Sequence, residues 1–337
     1  MHKGILLGAL AGLAVTASAA SATTLDDVKA RGALKCGVNV GLAGFSAPDQ
    51  AGRWQGFDVD YCRALAAAIF GDQEKVEFTP ATTETRFTAL VSGEIDVLAR
   101  NSTWTFSRDV DLKLDFVGVN YYDGQGFMVS KDLGVTSAKE LDGATICIQT
   151  GTTTELNLAD FFKTNGMSYQ PVPIQSESEA RQQFLGGACD AYTTDASGLA
   201  AARSGYPNPD NYIILPEIIS KEPLGPVVRH GDNQWADIGR WTLNALIEAE
   251  ELGITKANID EMKGSQNPEV RRLLGVEGSL GKMFGLSDEW AYNAIKANGN
   301  YGEIFTATIG EGTPSNLDRG LNAQWKDGGL LYSPPFR

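Results

Sequence analysis

Three polar segments, each directly after an apolar run typical of a strand, carry the side chains best suited to chemistry. The first, residues 101–108, contains Arg108, whose planar guanidinium matches a carboxylate in bidentate fashion. Thr103 in the same segment adds hydroxyl and amide donors. Arg108 could instead form a surface salt bridge to Asp109 or Asp111. The segment is therefore a candidate site for a carboxylate, with a surface ion pair as the alternative.

The second segment lies between a predicted strand and a predicted helix and contains Gly151, Thr152 and Thr153. Its backbone amides should lie at a helix N-terminus, where the helix dipole favours an anion. Alternatively a threonine caps the helix, with Glu155 completing a capping box. Both can hold at once, since different amides can serve each purpose.

The third segment, residues 192–197, places Asp195 at the end of another predicted strand. Its carboxylate could accept a hydrogen bond from an ammonium group or, alternatively, cap the following helix. A guanidinium with anion-binding amides on one side, and a carboxylate on the other, are what a zwitterion requires. Strand ends are where ligands collect in a doubly wound sheet.

Other site chemistries find little support in the sequence. After residue 22 there is one histidine, His230, too few for a multi-histidine metal site, and the four cysteines form no CxxC pair. Gly124-Gln125-Gly126 lacks the third glycine of a dinucleotide fingerprint, and the 149–155 loop has no GK[ST]. We therefore expect a non-enzymatic protein without metal or cofactor.

The elements that must position these segments form two cycles of alternating short and amphipathic runs. This order predicts an α/β protein with two doubly wound lobes and mostly parallel sheets. In the first cycle we predict strands at residues 34–40, 76–79, 95–99, 116–122 and 126–130, and helices at 59–70 and 84–92. In the second we predict strands at 144–149, 169–173, 190–193, 213–217 and 225–229, helices at 152–165, 178–186, 196–203 and 233–252, and further helices from Asn258 and Asp288.

The chain should cross between the lobes near Tyr122 and again near Glu222, and two crossings make a hinge over a cleft. The domain prediction is lobe 1 at residues 23–122 plus 223–263, lobe 2 at 123–222, and a C-terminal helical extension at 264–337 packed on lobe 1.

The first residues have the pattern of a secretory signal peptide. Lys3 is followed by an apolar run at 5–15 and small residues at 17–22, so we expect cleavage after Ala22, with Ala20 as the alternative. The run is short of the roughly 20 residues that span a bilayer. A formal net charge of −14, or −15 without Lys3, argues against nucleic acid or an anionic membrane as partner. We expect a monomer in an oxidising compartment, most simply a bacterial periplasm.

Four cysteines in an exported chain suggest disulfides, and three pairings are possible. We predict Cys36–Cys62 and Cys147–Cys189, because each pair then joins a strand to a neighbouring element of the same lobe. The alternative is four buried thiols.

With these motifs in view, the sequence resembles the periplasmic solute-binding proteins of polar amino acid ABC uptake systems, and in particular their general L-amino acid-binding subfamily. The resemblance covers essentially all of the chain after the leader. It implies the type II periplasmic binding protein fold with a two-strand hinge, and polar L-amino acids such as glutamate, glutamine, aspartate and asparagine as ligands. The stretches that carry it are residues 56–60, 86–90, 92–96, 103–108, 115–127, 151–155 and 192–195.

On the lobe 1 side, the resemblance implies that Arg108 binds the ligand α-carboxylate, assisted by Thr103 and the Asn101 backbone. In relatives with acidic substrates, an arginine at the position of Arg86 binds the side-chain carboxylate, and Thr83 would lie beside it.

On the lobe 2 side, the resemblance implies that Thr153 and neighbouring amides meet the same carboxylate, and that Asp195 takes the α-ammonium. Relatives for basic amino acids have two aromatic residues where this chain has Leu42 and Thr83, which disfavours lysine and arginine as ligands. Nearby side chains that could wall the cleft are Asn39, Phe45, Trp54 and Trp104, with core packing favoured for Trp54.

The partners implied are a polar L-amino acid and the permease subunits of an ABC transporter in the inner membrane. Two alternatives stay open: a periplasmic enzyme on the same scaffold, of the dehydratase or lytic type, and a ligand sensor that signals to a receptor.

Overall fold

The computed structural model describes residues 23–337, and the predicted signal peptide with its cleavage point lies outside this range. In order, the strands are β1 Leu34–Asn39, β2 Ala47–Pro48, β3 Trp54–Gln55, β4 Val76–Ala81, β5 Val97–Leu98, β6 Leu114–Phe116, β7 Tyr121–Asp123, β8 Gln125–Ser130, β9 Thr145–Gln149, β10 Gln170–Ile174, β11 Ala191–Asp195, β12 Tyr212–Ile214, β13 Glu222–Leu224 and β14 Val227–Arg229. The helices are α1 Thr24–Arg31, α2 Phe57–Phe70, α3 Arg86–Val91, α4 Thr153–Thr164, α5 Glu177–Leu185, α6 Ala196–Ser204, α7 Asn233–Glu251, α8 Ile259–Met262, α9 Pro268–Leu273, α10 Leu280–Met283, α11 Trp290–Asn298 and α12 Tyr301–Thr308.

Two five-stranded sheets form two lobes, as the alternating pattern predicts. Strand order is β4-β1-β5-β14-β6 in the first sheet and β10-β9-β11-β8-β12 in the second. Within each sheet the first three strands are parallel, and the fourth, β14 or β8, is antiparallel to both of its neighbours. Both antiparallel strands directly follow a crossing between the lobes. The fourth strand of each sheet is therefore formed by the first residues of the chain after it enters that lobe.

The hinge is a separate two-stranded ribbon in which β7 pairs antiparallel with β13. Here the prediction of one strand over residues 116–122 is wrong, because the chain leaves the first sheet after β6 and re-forms a strand only at Tyr121. Gly118 has φ +154° and its carbonyl oxygen approaches Gly225 so closely that a Cβ there would lie 1.9 Å away. The predicted strand at 225–229 is likewise shorter, since β14 begins at Val227.

The helices of the predicted C-terminal extension belong to the core of lobe 1. Helix α11 packs on α2 and α7, and α12 packs on the same two helices. Buried apolar side chains of this region share one core with β1 and α2, and they include Val270, Leu273, Trp290, Ile295, Tyr301, Phe305 and Phe336. The residue limits of the lobes and of the extension stay a prediction.

Both predicted disulfides are present, Cys36–Cys62 and Cys147–Cys189. The first joins β1 to α2, and the second joins β9 to the residues just before β11. No helix within residues 23–337 is both long and apolar enough to cross a membrane.

We expect the variant Cys147→Ala/Cys189→Ala to lower the free energy of unfolding by about 2–4 kcal/mol, because the bridge closes a loop across 42 positions of the chain. Urea denaturation measures this loss. An unchanged transition midpoint would mean that the bridge contributes nothing to the stability of lobe 2.

Candidate functional site

A polar cleft lies between the two sheets, at the carboxyl ends of β1 and β5 on one wall and of β9 and β11 on the other. This is the position that parallel strands offer to a ligand. The cleft is lined by Asn39, Leu42, Thr83, Arg86, Arg100, Asn101, Thr103 and Arg108 from lobe 1 and by Gln149, Thr152, Thr153, Thr154, Glu177, Thr194, Asp195 and Gly198 from lobe 2.

Arg108 lies in a single π-helical turn, Ser107–Asp111, and is buried. Its Nη1 donates to the Thr103 carbonyl at 2.8 Å, and its guanidinium lies 5.1 Å from the centroid of the Phe87 ring. The alternative of a surface salt bridge to Asp109 is wrong, because that carboxylate accepts from the indole nitrogen of Trp104 at 2.6 Å. Arg108 therefore lines the cleft with one guanidinium nitrogen bonded to the backbone, and its other guanidinium nitrogens have no hydrogen-bond partner within residues 23–337.

Arg86 begins α3 and is buried deeper, with 3% of its surface exposed. Its guanidinium lies 4.6 Å from the centroid of the same Phe87 ring that Arg108 contacts. Its Nη1 donates to Ser102 Oγ at 3.3 Å. Its Nε and the hydroxyl of Thr83 have no hydrogen-bond partner within residues 23–337. Burial, then repulsion from two further arginines, lowers the pKa of Arg86 well below its ordinary value. Unpartnered buried donors of this kind favour an anion.

Arg100 is a third cleft guanidinium, which the sequence analysis missed although it directly follows a predicted strand. It is 3% exposed, and its Nε donates to the Ala81 carbonyl at 2.8 Å. Burial lowers its pKa to about 10, against the attraction of Glu177 from the opposite wall. Glu177, also missed, begins α5 and accepts a hydrogen bond from the Tyr192 hydroxyl at 2.9 Å.

The loop that presents these arginines has an unusual backbone at Asn101, where φ is +30°. Two contacts hold it there: Asn101 N donates to Asp58 Oδ2 at 3.1 Å, and Asn39 Nδ2 donates to Asn101 Oδ1 at 3.1 Å. Asp58 is buried near the start of α2, and its burial raises its pKa to about 6. Its role is to fix the loop, and only the fold reveals it.

On the opposite wall, the predicted threonine cap of α4 is present, but the predicted capping box is not. Thr152 caps the helix by accepting from Glu155 N at 3.2 Å, whereas Glu155 Oε2 accepts from Gly151 N at 3.0 Å instead of from the amide of the cap residue. The amides of Thr153 and Thr154 occupy the first two helical positions, where no intrahelical acceptor exists. They remain available to an anion in the cleft.

Asp195 ends β11 and is 7% exposed. The alternative that it caps α6 is wrong, because its side chain makes no cap hydrogen bond. Instead, the first-turn residue Ser197 donates its hydroxyl to Asp123 at 2.5 Å. Burial, then repulsion from Asp123 and Glu222, raises the pKa of Asp195 well above its ordinary value. An ammonium group beside Asp195 would relieve this cost.

Glu222, in the hinge strand β13, connects the two walls and was not found from sequence. It accepts from Thr103 Oγ1 at 2.5 Å on lobe 1, and from Thr153 Oγ1 at 2.9 Å and Asn157 Nδ2 at 2.7 Å on lobe 2. Thr103 and Thr153 also lie 3.3 Å apart, oxygen to oxygen. The two walls are therefore in direct contact beside the cleft.

The structure brings most of the predicted site residues together, with two exceptions. Trp104 does not line the cleft, because its ring is 39% exposed and stacks on Phe116 at 5.5 Å. Gly151 is exposed at the far side of the turn, where its amide is taken by Glu155. Of the other aromatics, Phe45 is in the lobe 1 core and Trp54 packs against that core. Eight predicted residues do line the cleft: Asn101, Thr103, Arg108, Arg86, Thr83, Thr152, Thr153 and Asp195.

Within residues 23–337 no group of three or more histidine, cysteine, aspartate or glutamate side chains could hold a metal ion.

Comparison with known proteins identifies the family. The model of the bacterial extracellular solute-binding proteins, family 3, matches residues 34–257. The chain belongs to this family. It is 66% identical, over all of both chains, to the glutamate/glutamine/aspartate/asparagine-binding protein of Rhodobacter capsulatus. It is 60% identical, over 99% of this chain and all of the relative, to the general L-amino acid-binding periplasmic protein of Rhizobium johnstonii.

One solved structure is similar to this chain over nearly its whole length. It is an ABC transporter periplasmic binding protein from Brucella ovis with glutathione bound, 58% identical, with a TM-score of 0.92 over 94% of this chain and all of that one. The fold is thus the type II periplasmic binding protein fold that the sequence resemblance implies, with two lobes and C-terminal helices.

The buried carboxylates of this solute-binding protein predict how its stability depends on pH. Asp58 and Asp123 each have a pKa of about 6, raised chiefly by burial, against about 3.9 for an unfolded aspartate. Between these values the folded state binds more protons than the unfolded state, so stability falls as pH rises. We expect the ligand-free protein to melt several degrees higher at pH 5 than at pH 7.5.

The variant Asp123→Asn should reduce this pH dependence, because it removes one of the buried carboxyls whose pKa is raised. Calorimetric melting of both proteins across the pH range measures the difference. Equal slopes in the two proteins would contradict the assignment of a raised pKa to Asp123.

Proposed function

We propose that this protein captures polar L-amino acids in the periplasm and delivers them to the permease of an ABC importer in the inner membrane, as a monomer and without catalysis. The proposal depends chiefly on one observation. Arg108 and Asp195 face the same cleft from opposite walls. Within residues 23–337, Arg108 uses only Nη1 in a hydrogen bond, and the Asp195 carboxylate does not cap its helix.

The α-carboxylate of the ligand binds Arg108 and the free amides at Thr153 and Thr154, while its α-ammonium binds Asp195. This assignment uses the groups that the protein leaves unpartnered. It also opposes the causes that raise the pKa of Asp195, because an adjacent ammonium group favours the ionised carboxylate.

The side chain of the ligand extends towards Arg86 and Arg100. None of the three cleft arginines has a carboxylate within salt-bridge distance among residues 23–337. Three guanidiniums against two lining carboxylates, Asp195 and Glu177, leave one positive charge, which glutamate or aspartate neutralises. Glutamine and asparagine instead present an amide N–H that can donate a hydrogen bond to the Glu177 carboxylate.

Closure of the lobes selects the bound state. Contacts from Arg108 on one lobe and Asp195 on the other are available together only when the lobes are close, so a ligand favours the closed form by its differential affinity. The contact of Thr103 and Thr153 with the hinge residue Glu222 belongs to that closed form. A permease can then recognise the closed shape.

The relatives support this assignment over the alternatives. Those named above are amino acid-binding proteins rather than enzymes, and one carries the word periplasmic in its name. The Brucella ovis relative with glutathione supports a broader ligand range, because the glutamyl part of glutathione keeps a free α-amino and α-carboxyl group. Incubation with candidate amino acids separates a binder, which is stabilised by them, from an enzyme, which converts them.

Arg108→Ala should lower the affinity for glutamate on the order of a hundredfold or more, since a charge-assisted hydrogen bond contributes about 1.5–3 kcal/mol and two are lost. Isothermal titration calorimetry measures the loss. Arg53→Ala, which removes an exposed arginine remote from the cleft, is the matched control. Unchanged glutamate affinity in Arg108→Ala would remove this residue from the site.

Arg86→Ala should discriminate among ligands. Acidic amino acids should weaken more than small neutral ones, because only the acidic ligands present a side-chain carboxylate to the free Nε. Competition calorimetry with glutamate and alanine gives the ratio. An equal loss for both ligands would make Arg86 a structural residue rather than a specificity residue.

A further inference from the structure

A second cavity of about 230 Å³ adjoins the cleft and is not used by the proposed amino acid ligand. The two spaces share Leu42 and Glu177, so they meet at one end of the cleft. We call this second cavity the side chamber, and the residues used below are Gly41, Leu42, Ala43, Glu177, Arg181 and Tyr206.

The side chamber has one cation without an acidic partner. Arg181, exposed on α5, forms no salt bridge within residues 23–337. Its guanidinium lies beside Gly205, where a Cβ would be 3.9 Å from Nη1. Tyr206 lines the chamber but is only 5% exposed, and its hydroxyl is buried away from the open space. The guanidinium of Arg181 therefore favours an occupant that carries a carboxylate.

The two lobes share the walls of the side chamber. Gly41, Leu42 and Ala43, in the loop after β1, come from lobe 1, and Arg181 and Tyr206 come from lobe 2. An occupant of the side chamber therefore contacts both lobes, as the amino acid does in the cleft. Occupation would add to the stability of the closed form by the same differential affinity.

The junction at Glu177 decides which ligands can reach the side chamber. Glu177 attracts Arg100, which the proposed function assigns to the side-chain end of the ligand. A substituent on the side-chain amide of glutamine would thus pass Glu177, donate its N–H to that carboxylate and enter the side chamber. A terminal carboxylate on the substituent would then meet Arg181.

We propose that the side chamber is a second subsite, and that it takes the carboxylate-bearing extension of γ-linked glutamyl peptides. The inference depends on the proposed function, because the glutamyl head must be held by Arg108 and Asp195. Arg181 binds the distal carboxylate of the extension. Specificity then has two parts, because the cleft binds the head group and the side chamber binds the extension.

The test uses two ligands that differ only in the extension: glutamine, and γ-glutamylglycine, which is glutamine with a carboxymethyl group on the amide nitrogen. Calorimetry is performed with the wild type, Arg181→Ala and Lys163→Ala. Lys163 is an exposed cation of lobe 2 outside the side chamber, so this variant makes the same charge change as a control. Arg181→Ala should lose about tenfold or more in affinity for γ-glutamylglycine, with glutamine unchanged within twofold.

Arg181→Lys should recover part of the loss, because it restores the positive charge without the planar fork. Equal affinity for γ-glutamylglycine in the wild type and in Arg181→Ala would overturn the subsite. So would binding of glutamine without any binding of γ-glutamylglycine, and this outcome leaves the proposed function intact. Failure of glutamate, glutamine and γ-glutamylglycine alike would instead overturn the proposed function.

Discussion

Three buried guanidiniums lie along one wall of the cleft with no carboxylate of residues 23–337 in salt-bridge contact, and the site depends on this constraint. Arg86 and Arg108 both pack against Phe87, and Arg100 is fixed to the Ala81 carbonyl. The aromatic ring and the carbonyl oxygen compensate part of the desolvation, but neither neutralises a charge. The chain as a whole is strongly acidic, so the positive charge of this wall is a local property of the three arginines. In the proposed function a ligand carboxylate supplies the missing negative charge.

The opposite wall has the complementary problem, because carboxylates there repel one another. Burial raises the pKa of Asp195, and repulsion from nearby Asp123 and Glu222 raises it further. The latter two already accept hydrogen bonds, Asp123 from Ser197 and Glu222 from Thr103 and Thr153. Within residues 23–337 the side chain of Asp195 makes no such bond, not even to cap α6. This difference is why our proposal assigns the ammonium group to Asp195 rather than to the other two carboxylates.

Much of this site could be predicted from sequence, because it follows from where strands end. The segments with Arg108, Thr152 and Asp195 were identified by that rule, and the structure places all three residues on the cleft. Arg100 obeys the same rule, since it lies two residues after β5 and lines the cleft. Trp104 shows the limit of the rule, since adjacency in sequence does not fix which way a side chain points.

The remaining residues could not be predicted, since they depend on contacts between distant parts of the chain. Glu222 is 119 positions from Thr103, and the two meet only because β13 returns beside the loop after β5. The hinge strands themselves were harder to delimit than the lobes, as three-residue strands have little periodicity to detect.

The proposed ligand geometry would let one fold bind ligands of different length. Arg108 and Asp195, which we propose bind the zwitterion, lie on opposite walls close to the contact of Thr103 with Glu222. The lobes touch there, so a head group bound at this point would be enclosed. At the other end, past Glu177, the walls are formed by a loop and by the surface of α5, and they leave space open to solvent. Under this proposal recognition is strict where the lobes meet and permissive where they separate.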